Sequence, residues 1–173
     1  AGADFSVVFD TLLQDGKVAQ GPGTHMLGQN FSKPFDIQYS DKSGSKQHVW
    51  QTSWGMTTRQ IGIVICHHGD DKGAVLAPAI APHQCVVVPI LFKGKETKVM
   101  KQAEIVHKKL LELGFRSYLD SRDYSPGFKF NEWELRGVPL RIEIGPQDIK
   151  NKEVTAVKRN DGKRMHVKLS RLK

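Results

Sequence analysis

The alternation of short apolar runs with helical segments in the second half of the chain constrains the fold most strongly. CVVVPILF, at residues 85–92, is continuously apolar, as is typical of a buried strand. In residues 96–113 the apolar side chains recur on one helical face, and Gly114 stands where a C-terminal cap glycine belongs. That face comprises Val99, Ala103, Val106, Leu110 and Leu113. Such an order of elements predicts an α/β or α+β unit with a mixed sheet.

The rest of the second half continues the pattern. FRSYLD (115–120) and VPLRIEIG (138–145) are predicted strands, and FKFNEWELRG (128–137) is a predicted short helix with Trp133 facing the core. Two further strands flank Asp161-Gly162, the strongest hairpin signal in the chain. The predicted order is β-α-β-α-β-β-β.

The first half has a different character. DFSVVFDTLL (4–13) predicts a strand, and the glycines between residues 16 and 28 predict a loop. FDIQYS and KQHVWQTSW, on either side of SDKSGS, predict a hairpin, and the nearly continuous apolar run in TTRQIGIVICHH predicts a buried helix. The proline-bounded APAIAP predicts a linker. We therefore expect two domains, residues 1–81 and 82–173.

The positive charge is concentrated in the second domain. The chain has a net charge of +8, but residues 1–81 hold 6 Lys and Arg against 7 Asp and Glu, whereas residues 82–173 hold 20 against 11. An excess of this size favours a polyanionic partner such as RNA, with salt-dependent binding, although a basic surface without a partner remains the alternative.

Several function classes are disfavoured by composition. The longest apolar runs are far shorter than a membrane-spanning helix, and the N-terminus has neither the basic nor the apolar region of a signal peptide. The two cysteines, Cys66 and Cys85, form no CxxC pair, which fits a reducing compartment such as the cytoplasm. Cys66, His67 and His68 are adjacent and point in different directions from a helix, so we expect no metal site.

Three side chains have both a structural and a functional interpretation. Trp50 and Trp54 are four residues apart on a presumed strand, so they share a face and either pack in a core or wall an apolar pocket. Arg59, beside the start of an apolar helix, is either solvated or lines a cavity where it clamps an anion.

Three long segments together resemble one family. WQTSWGMTTRQIG followed by HGDDKGAVLAP resembles the third class II signature of prolyl-tRNA synthetases, and THMLGQNFS resembles their proline-pocket loop. RDYSPGFKFNEWELRGVPLRIEIGPQD resembles their archaeal and eukaryotic anticodon-binding domain. The resemblance implies a fragment of the antiparallel class II catalytic domain followed by an α/β anticodon-binding domain. It also implies ATP-dependent ligation of proline to its tRNA through prolyl-adenylate.

The resemblance also assigns roles in the first domain. Arg59 matches the arginine that binds the terminal phosphates of ATP, with Mg²⁺ expected alongside, and Gln20 and Thr57 match nucleotide contacts. The proline site is expected at His25, Trp50, Ser53 and Gly55. The usual threonine of the pocket loop falls on Gly23, and Thr24 is the alternative after a local shift.

In the second domain, the candidates for anticodon binding are Arg122, Lys129, Phe130, Glu132 and Glu134. Carboxylates accept hydrogen bonds from guanine N–H groups, cations donate to its acceptors, and aromatic rings stack on unpaired bases. A proline anticodon has guanines at its second and third positions. The alternative for Glu134 is a helix ion pair with Lys129 or Arg136.

The first and second class II motifs do not occur in this chain, and neither does the family's C-terminal extension. The resemblance therefore implies that the segment alone is inactive, and that dimerisation runs through the part of the family that precedes it. The alternative function is a non-catalytic tRNA- or protein-binding module derived from such an enzyme. We expect residues 82–173 to fold alone and bind RNA.

Overall fold

The computed structural model describes residues 2–172, which divide into two compact units at the His67–His68 bond. The first unit contains a three-stranded sheet and a small two-stranded hairpin, and the second contains a five-stranded sheet. None of the helices within residues 2–172 is long and apolar enough to cross a membrane.

The first unit is built on an antiparallel sheet with the strand order β1-β2-β5. Its strands are β1 (Phe5–Leu12), β2 (Val18–Gly28) and β5 (Gln51–Gly55). A hairpin pairs β3 (Gln38–Ser40) with β4 (Lys46–His48), and helix α1 (Arg59–His68) follows β5. The predicted first strand, hairpin and helix are confirmed.

The prediction of a glycine-rich loop is wrong, because residues 18–28 form the central strand of this sheet. A Cβ atom on Gly21 would lie 2.8 Å from the carbonyl oxygen of Phe9 on the neighbouring strand. The register of β1 against β2 also shifts between Val8 and Asp10. Glycine therefore permits a close approach of two irregularly paired strands here and does not break the chain.

The first unit buries little apolar surface within the described residues. Ile63 is the one buried residue of α1, while Ile61 and Ile65 are exposed. Trp50 and Trp54 are 76% and 78% exposed. A buried helix and core packing of the two tryptophans are therefore wrong for residues 2–67, since a three-stranded sheet, a small hairpin and one helix offer too few side chains to cover them.

The second unit is built on a mixed sheet with the strand order β10-β9-β8-β6-β7. β6 (Cys85–Pro89) is parallel to β7 (Ser117–Leu119) and β8 (Leu140–Ile144), whereas β9 (Glu153–Lys158) and β10 (Arg164–Lys168) are antiparallel additions. The helices are α2 (Glu96–Glu112), α3 (Pro126–Leu135) and α4 (Pro146–Asn151). The α/β unit with a mixed sheet is confirmed, and α4 is an element that the sequence patterns missed.

The main core lies between α2 and one face of the sheet. Four of the five predicted α2 positions are buried there; they are Val99, Ala103, Val106 and Leu110. Leu113 is exposed, because the helix ends at Glu112. Gly114 has a φ of +84° and Gly162 a φ of +67°, as the predicted cap and hairpin turn require.

Helix α3 covers part of the opposite face. Trp133 packs there with Val86, Val88 and Val138, which confirms its predicted core position. The helix begins where the Ser125 hydroxyl accepts a hydrogen bond from the backbone N–H of Phe128 at 3.3 Å.

Residues 68–81, here called the clasp segment, belong to the second unit and are hydrogen-bonded to the rest of it. Asp70 accepts two hydrogen bonds, of 2.7 and 2.6 Å, from the buried guanidinium of Arg159, and these hold the pKa of Asp70 well below its ordinary value. The backbone N–H of Ala74 donates to Leu135 O at 3.1 Å, and Arg116 donates to Pro78 O at 2.8 Å. The two compact units therefore divide at residues 67 and 68, ahead of the domain boundary predicted near Ala81. That predicted boundary stays a prediction.

Candidate functional site

An open concavity of about 350 Å³ lies in the first unit, where β2, β5 and the start of α1 converge. It contains six of the seven residues predicted to contact ATP or proline; these are Gln20, His25, Ser53, Gly55, Thr57 and Arg59. Trp50, the seventh, does not line it and lies just before β5. Gly23 lines the concavity and Thr24 does not.

Strand pairing explains why these residues meet. In the register of β2 against β5, Gly23 is opposite Gly55 and His25 is opposite Ser53. Arg59 opens α1, where its backbone N–H donates to the Thr57 hydroxyl at 3.3 Å. Its Nη1 donates to Gln20 O at 3.4 Å, so the guanidinium is held beside β2. The arrangement offers a cation, hydroxyls and amide groups to an anionic ligand.

A second concavity of about 340 Å³ shares His25 and Ser53 with the first. Its other lining residues are mainly apolar and include Leu27 and Phe31. The Ser6 hydroxyl and His25 Nδ1 are 2.7 Å apart, which fixes the imidazole between the two hollows. The pair of hollows therefore joins a polar, cationic side to an apolar one.

In the second unit, Asp120 is fully buried at the carboxyl end of β7 and organises a polar network. Its carboxylate accepts hydrogen bonds from Arg122 Nε at 2.9 Å, Arg122 Nη2 at 2.8 Å and Trp133 Nε1 at 2.8 Å. Arg122 Nη2 also donates to Glu132 at 2.6 Å, and Arg136 donates to the other oxygen of Glu132 at 2.6 Å. The network fixes the plane of the Arg122 guanidinium while that side chain stays about one third exposed, at 34%.

The charge states follow from these contacts. Burial alone would raise the pKa of Asp120, but the hydrogen bonds from Arg122 and Trp133 outweigh burial and lower the pKa to about 2. Hydrogen bonding to Asp120 and Glu132 raises the pKa of Arg122, and the hydrogen bond from Arg122 lowers that of Glu132. All three groups are therefore charged at neutral pH.

Two exposed aromatic rings stand beside this network. Tyr124 and Phe128 are 53% and 52% exposed, with ring centroids 4.7 Å apart. The guanidinium carbon of Arg122 lies 5.4 Å from the centre of the Tyr124 ring. Exposed rings next to a fixed guanidinium suit the stacking of unpaired bases. Sequence reasoning missed both rings, although they flank the Ser125-Pro126 helix start.

The remaining predicted anticodon residues are placed differently. Lys129 is 2% exposed and its ammonium donates to Asp120 O at 3.1 Å, so its role in this structure is internal. Phe130 packs on the core with the Arg141 guanidinium 4.3 Å from its ring centre. Glu134 lies 3.8 Å from Lys72, so neither of the partners predicted for its ion pair is the one observed.

One group of three potential metal ligands with atoms within 4.8 Å of one another occurs in residues 2–172: Asp148, Glu153 and His166. Asp148 already accepts hydrogen bonds from Gly145 N–H and the Thr155 hydroxyl, both at 2.8 Å. Glu153 accepts from Lys168 at 3.1 Å. These contacts within the fold account for the positions of the Asp148 and Glu153 carboxylates.

The comparison with known families concerns most of the second unit. Residues 84–173 match the model of the anticodon binding domain. The chain belongs to this family. The anticodon-binding domain thus contains the Asp120–Arg122 network, the aromatic pair and the five-stranded sheet.

The relatives extend the similarity beyond the anticodon-binding domain. The chain is 46% identical over 166 residues to the proline–tRNA ligase of Methanocaldococcus jannaschii, with 96% of this chain and 36% of the relative covered. It is 45% identical over 170 residues to that of Cenarchaeum symbiosum, with 97% and 36% covered. The chain thus spans about a third of the length of the relatives it matches, and the resemblance to prolyl-tRNA synthetases is confirmed.

Proposed function

We propose that this chain supplies part of the catalytic site and the anticodon-reading domain of a proline–tRNA ligase, which joins proline to its tRNA through prolyl-adenylate. The observation that carries the proposal is the convergence of six residues, predicted from motifs, on one concavity of the first unit. The similarity to proline–tRNA ligases, which covers both units, supports it.

In this proposal, Arg59 binds the terminal phosphates of ATP. When the proline carboxylate attacks the α-phosphorus, the bond to the pyrophosphate breaks and negative charge grows on the leaving group. A guanidinium held in place by Gln20 O stabilises that charge with little reorganisation. Gln20 and Thr57 then contact the nucleoside.

The apolar hollow beside His25 fits the proline ring. Leu27 and Phe31 offer apolar contacts, and His25 and Ser53 offer polar groups at the border with the nucleotide side. Shape alone separates proline from smaller amino acids by only about 1–3 kcal/mol per methylene. Gly55 leaves room for the substrate on the nucleotide side, whereas Trp50 lines neither hollow.

Magnesium fits this chain less well than ATP does. Among residues 2–67, no carboxylate lines the first concavity, and Mg²⁺ prefers oxygen ligands with one or two carboxylates. The residues that line this concavity therefore do not form a magnesium site.

The second unit reads guanines in this proposal. Nε and Nη2 of Arg122 bind Asp120 and Glu132, and these bonds direct the remaining nitrogen, Nη1. Nη1 donates to guanine acceptors, and Glu132 accepts from guanine N–H groups. Tyr124 and Phe128 stack on unpaired bases. The net charge adds attraction: residues 68–173 hold 21 Lys and Arg against 13 Asp and Glu.

The test compares binding of the 173-residue chain to two anticodon stem–loops at one salt concentration. One carries the proline anticodon and the other has adenines in place of its two guanines. Each lost base contact should cost about 1–3 kcal/mol, because adenine lacks the O6 acceptor of guanine and its N1–H and N2–H donors. Equal affinity for the two RNAs would reduce this unit to an electrostatic tether.

A further inference from the structure

The loop between β6 and α2, residues 90–95, is a second exposed surface that the proposed function does not use. Leu91 and Phe92 are exposed at 37% and 57%, and Lys93 and Lys95 are exposed beside them. The backbone N–H of Lys95 donates to Phe92 O at 2.9 Å, which closes the turn. We call these residues the edge loop.

The topology places the edge loop at the same edge of the sheet as Arg122. β6 is the central parallel strand, and the chain crosses through α2 to β7 on one side of it and then through α3 to β8 on the other. Val87 of β6 pairs with Leu119 of β7, and the N–H of Asp120 donates to Val87 O at 2.9 Å. The carboxyl edge at such a switch of strand order is where α/β sheets bind ligands.

The charges of the edge loop are not neutralised internally. Among the described residues, no carboxylate pairs with Lys93, Lys95 or with Lys98, the next lysine on α2. Glu96 is the one acidic residue in the sequence between Lys93 and Lys98. Other cations of the same unit do pair with carboxylates: Arg122, Arg136, Arg141, Arg159 and Arg164. The lysines of the edge loop are therefore available to an external anion.

We propose that the edge loop binds the RNA strand next to the base read by Arg122, with Lys93 and Lys95 on backbone phosphates and Phe92 stacked on an unpaired base. This inference rests on the proposed RNA-reading function. An RNA strand fits because the surface combines an exposed ring with unpaired cations at the edge that carries Arg122, and a single-stranded nucleic acid presents both bases and phosphates.

The experiment measures binding of the 173-residue chain to the proline anticodon stem–loop as a function of salt. In the Lys93→Ala/Lys95→Ala variant, the slope of log affinity against log salt should fall by about 1.4, since each phosphate contact on a single strand contributes about 0.7. Affinity near physiological salt should fall roughly tenfold. Phe92→Ala should weaken binding of the guanine and adenine stem–loops equally, by roughly five- to a hundredfold.

The matched control is Lys108→Ala/Lys109→Ala, which removes the same charge from the other end of α2. A slope that changes no more in the edge-loop variant than in this control would overturn the inference, as would full affinity in Phe92→Ala. Far-ultraviolet circular dichroism checks that each variant is folded. If the unmodified chain fails to separate guanine from adenine while the edge-loop variant still lowers the slope, the base-reading proposal fails and the edge loop remains an RNA contact.

Discussion

Asp120→Asn tests the claim that one buried carboxylate holds the Arg122 network together. The substitution keeps the size of the side chain but removes its charge and places an NH₂ or a neutral oxygen against donors from Arg122 and Trp133. Breaking a buried, hydrogen-bonded ion pair from one side costs about 3–5 kcal/mol. Because Arg122 is partly exposed and keeps Glu132, we expect the free energy of unfolding of the second unit to fall by about 2–4 kcal/mol.

The pH dependence gives a second measure of the same interaction. The pKa of Asp120 is lowered to about 2 in the folded chain from an ordinary value of 3.8, so its stabilisation is complete above the ordinary value and is lost as the pH falls towards 2. A difference of this size corresponds to about 2 kcal/mol. Between pH 4 and pH 2, the unmodified chain should therefore lose about 2 kcal/mol more than Asp120→Asn does.

The assay is urea unfolding followed by the fluorescence of Trp133. Trp50 and Trp54 are exposed and are replaced by phenylalanine in every variant, so that the one remaining tryptophan reports the second unit. The matched control is Asp123→Asn, which removes the same charge from an exposed neighbour. Equal unfolding free energies for the two variants at pH 7, or parallel pH profiles for Asp120→Asn and the unmodified chain, would refute the reasoning.

Three further outcomes are expected. The 173-residue chain alone should show no proline-dependent ATP–pyrophosphate exchange, because Arg59 is the one Lys or Arg lining its first concavity within the described residues; exchange above background would contradict this. In a full-length ligase that contains this chain, Arg59→Ala should slow exchange by roughly two to three orders of magnitude, and an unchanged rate would make Arg59 structural. Residues 82–173 should unfold at a lower urea concentration than residues 68–173. The free energy of unfolding should fall by about 2 kcal/mol or more, because the hydrogen bonds of Ala74, Pro78 and their neighbours are lost. Equal unfolding midpoints would show that the clasp segment contributes nothing to stability.

Local periodicity predicted the second unit well because its elements bury complete faces. The apolar stripe from Val99 to Leu110 and the Asp161-Gly162 turn each depend on neighbours within a few residues, so a single sequence is enough to predict them. Helix α4, Pro146–Asn151, is too short to show a helical period. APAIAP, residues 77–82, is predicted as a linker because its hydrogen-bond partner, Arg116, lies more than 30 residues away along the chain, beyond the reach of local patterns.

Only some of the candidate site residues could be predicted from the sequence. The resemblance to prolyl-tRNA synthetases identified the residues around Arg59, which local periodicity could not do, because strand pairing brings them together from distant positions such as Gln20 and Ser53. Composition could not distinguish Lys129, which is buried against Asp120 O, from an exposed lysine, because burial depends on where α3 packs. Likewise, Phe128 is exposed and Phe130 is packed on the core, and only the tertiary structure separates these two phenylalanines.

The most direct test of the central claim is a double-mutant cycle between Arg122 and a guanine of the anticodon. Arg122→Lys keeps the positive charge, so attraction to phosphates is retained, but it loses the planar guanidinium whose Nη1 is directed by the bonds to Asp120 and Glu132. Binding of both protein forms to the guanine and adenine stem–loops is measured at one salt concentration. We predict a coupling free energy of about 1–3 kcal/mol for one of the two guanines. A coupling of zero at both positions, with the guanine and adenine RNAs weakened equally by Arg122→Lys, would contradict base reading by this unit.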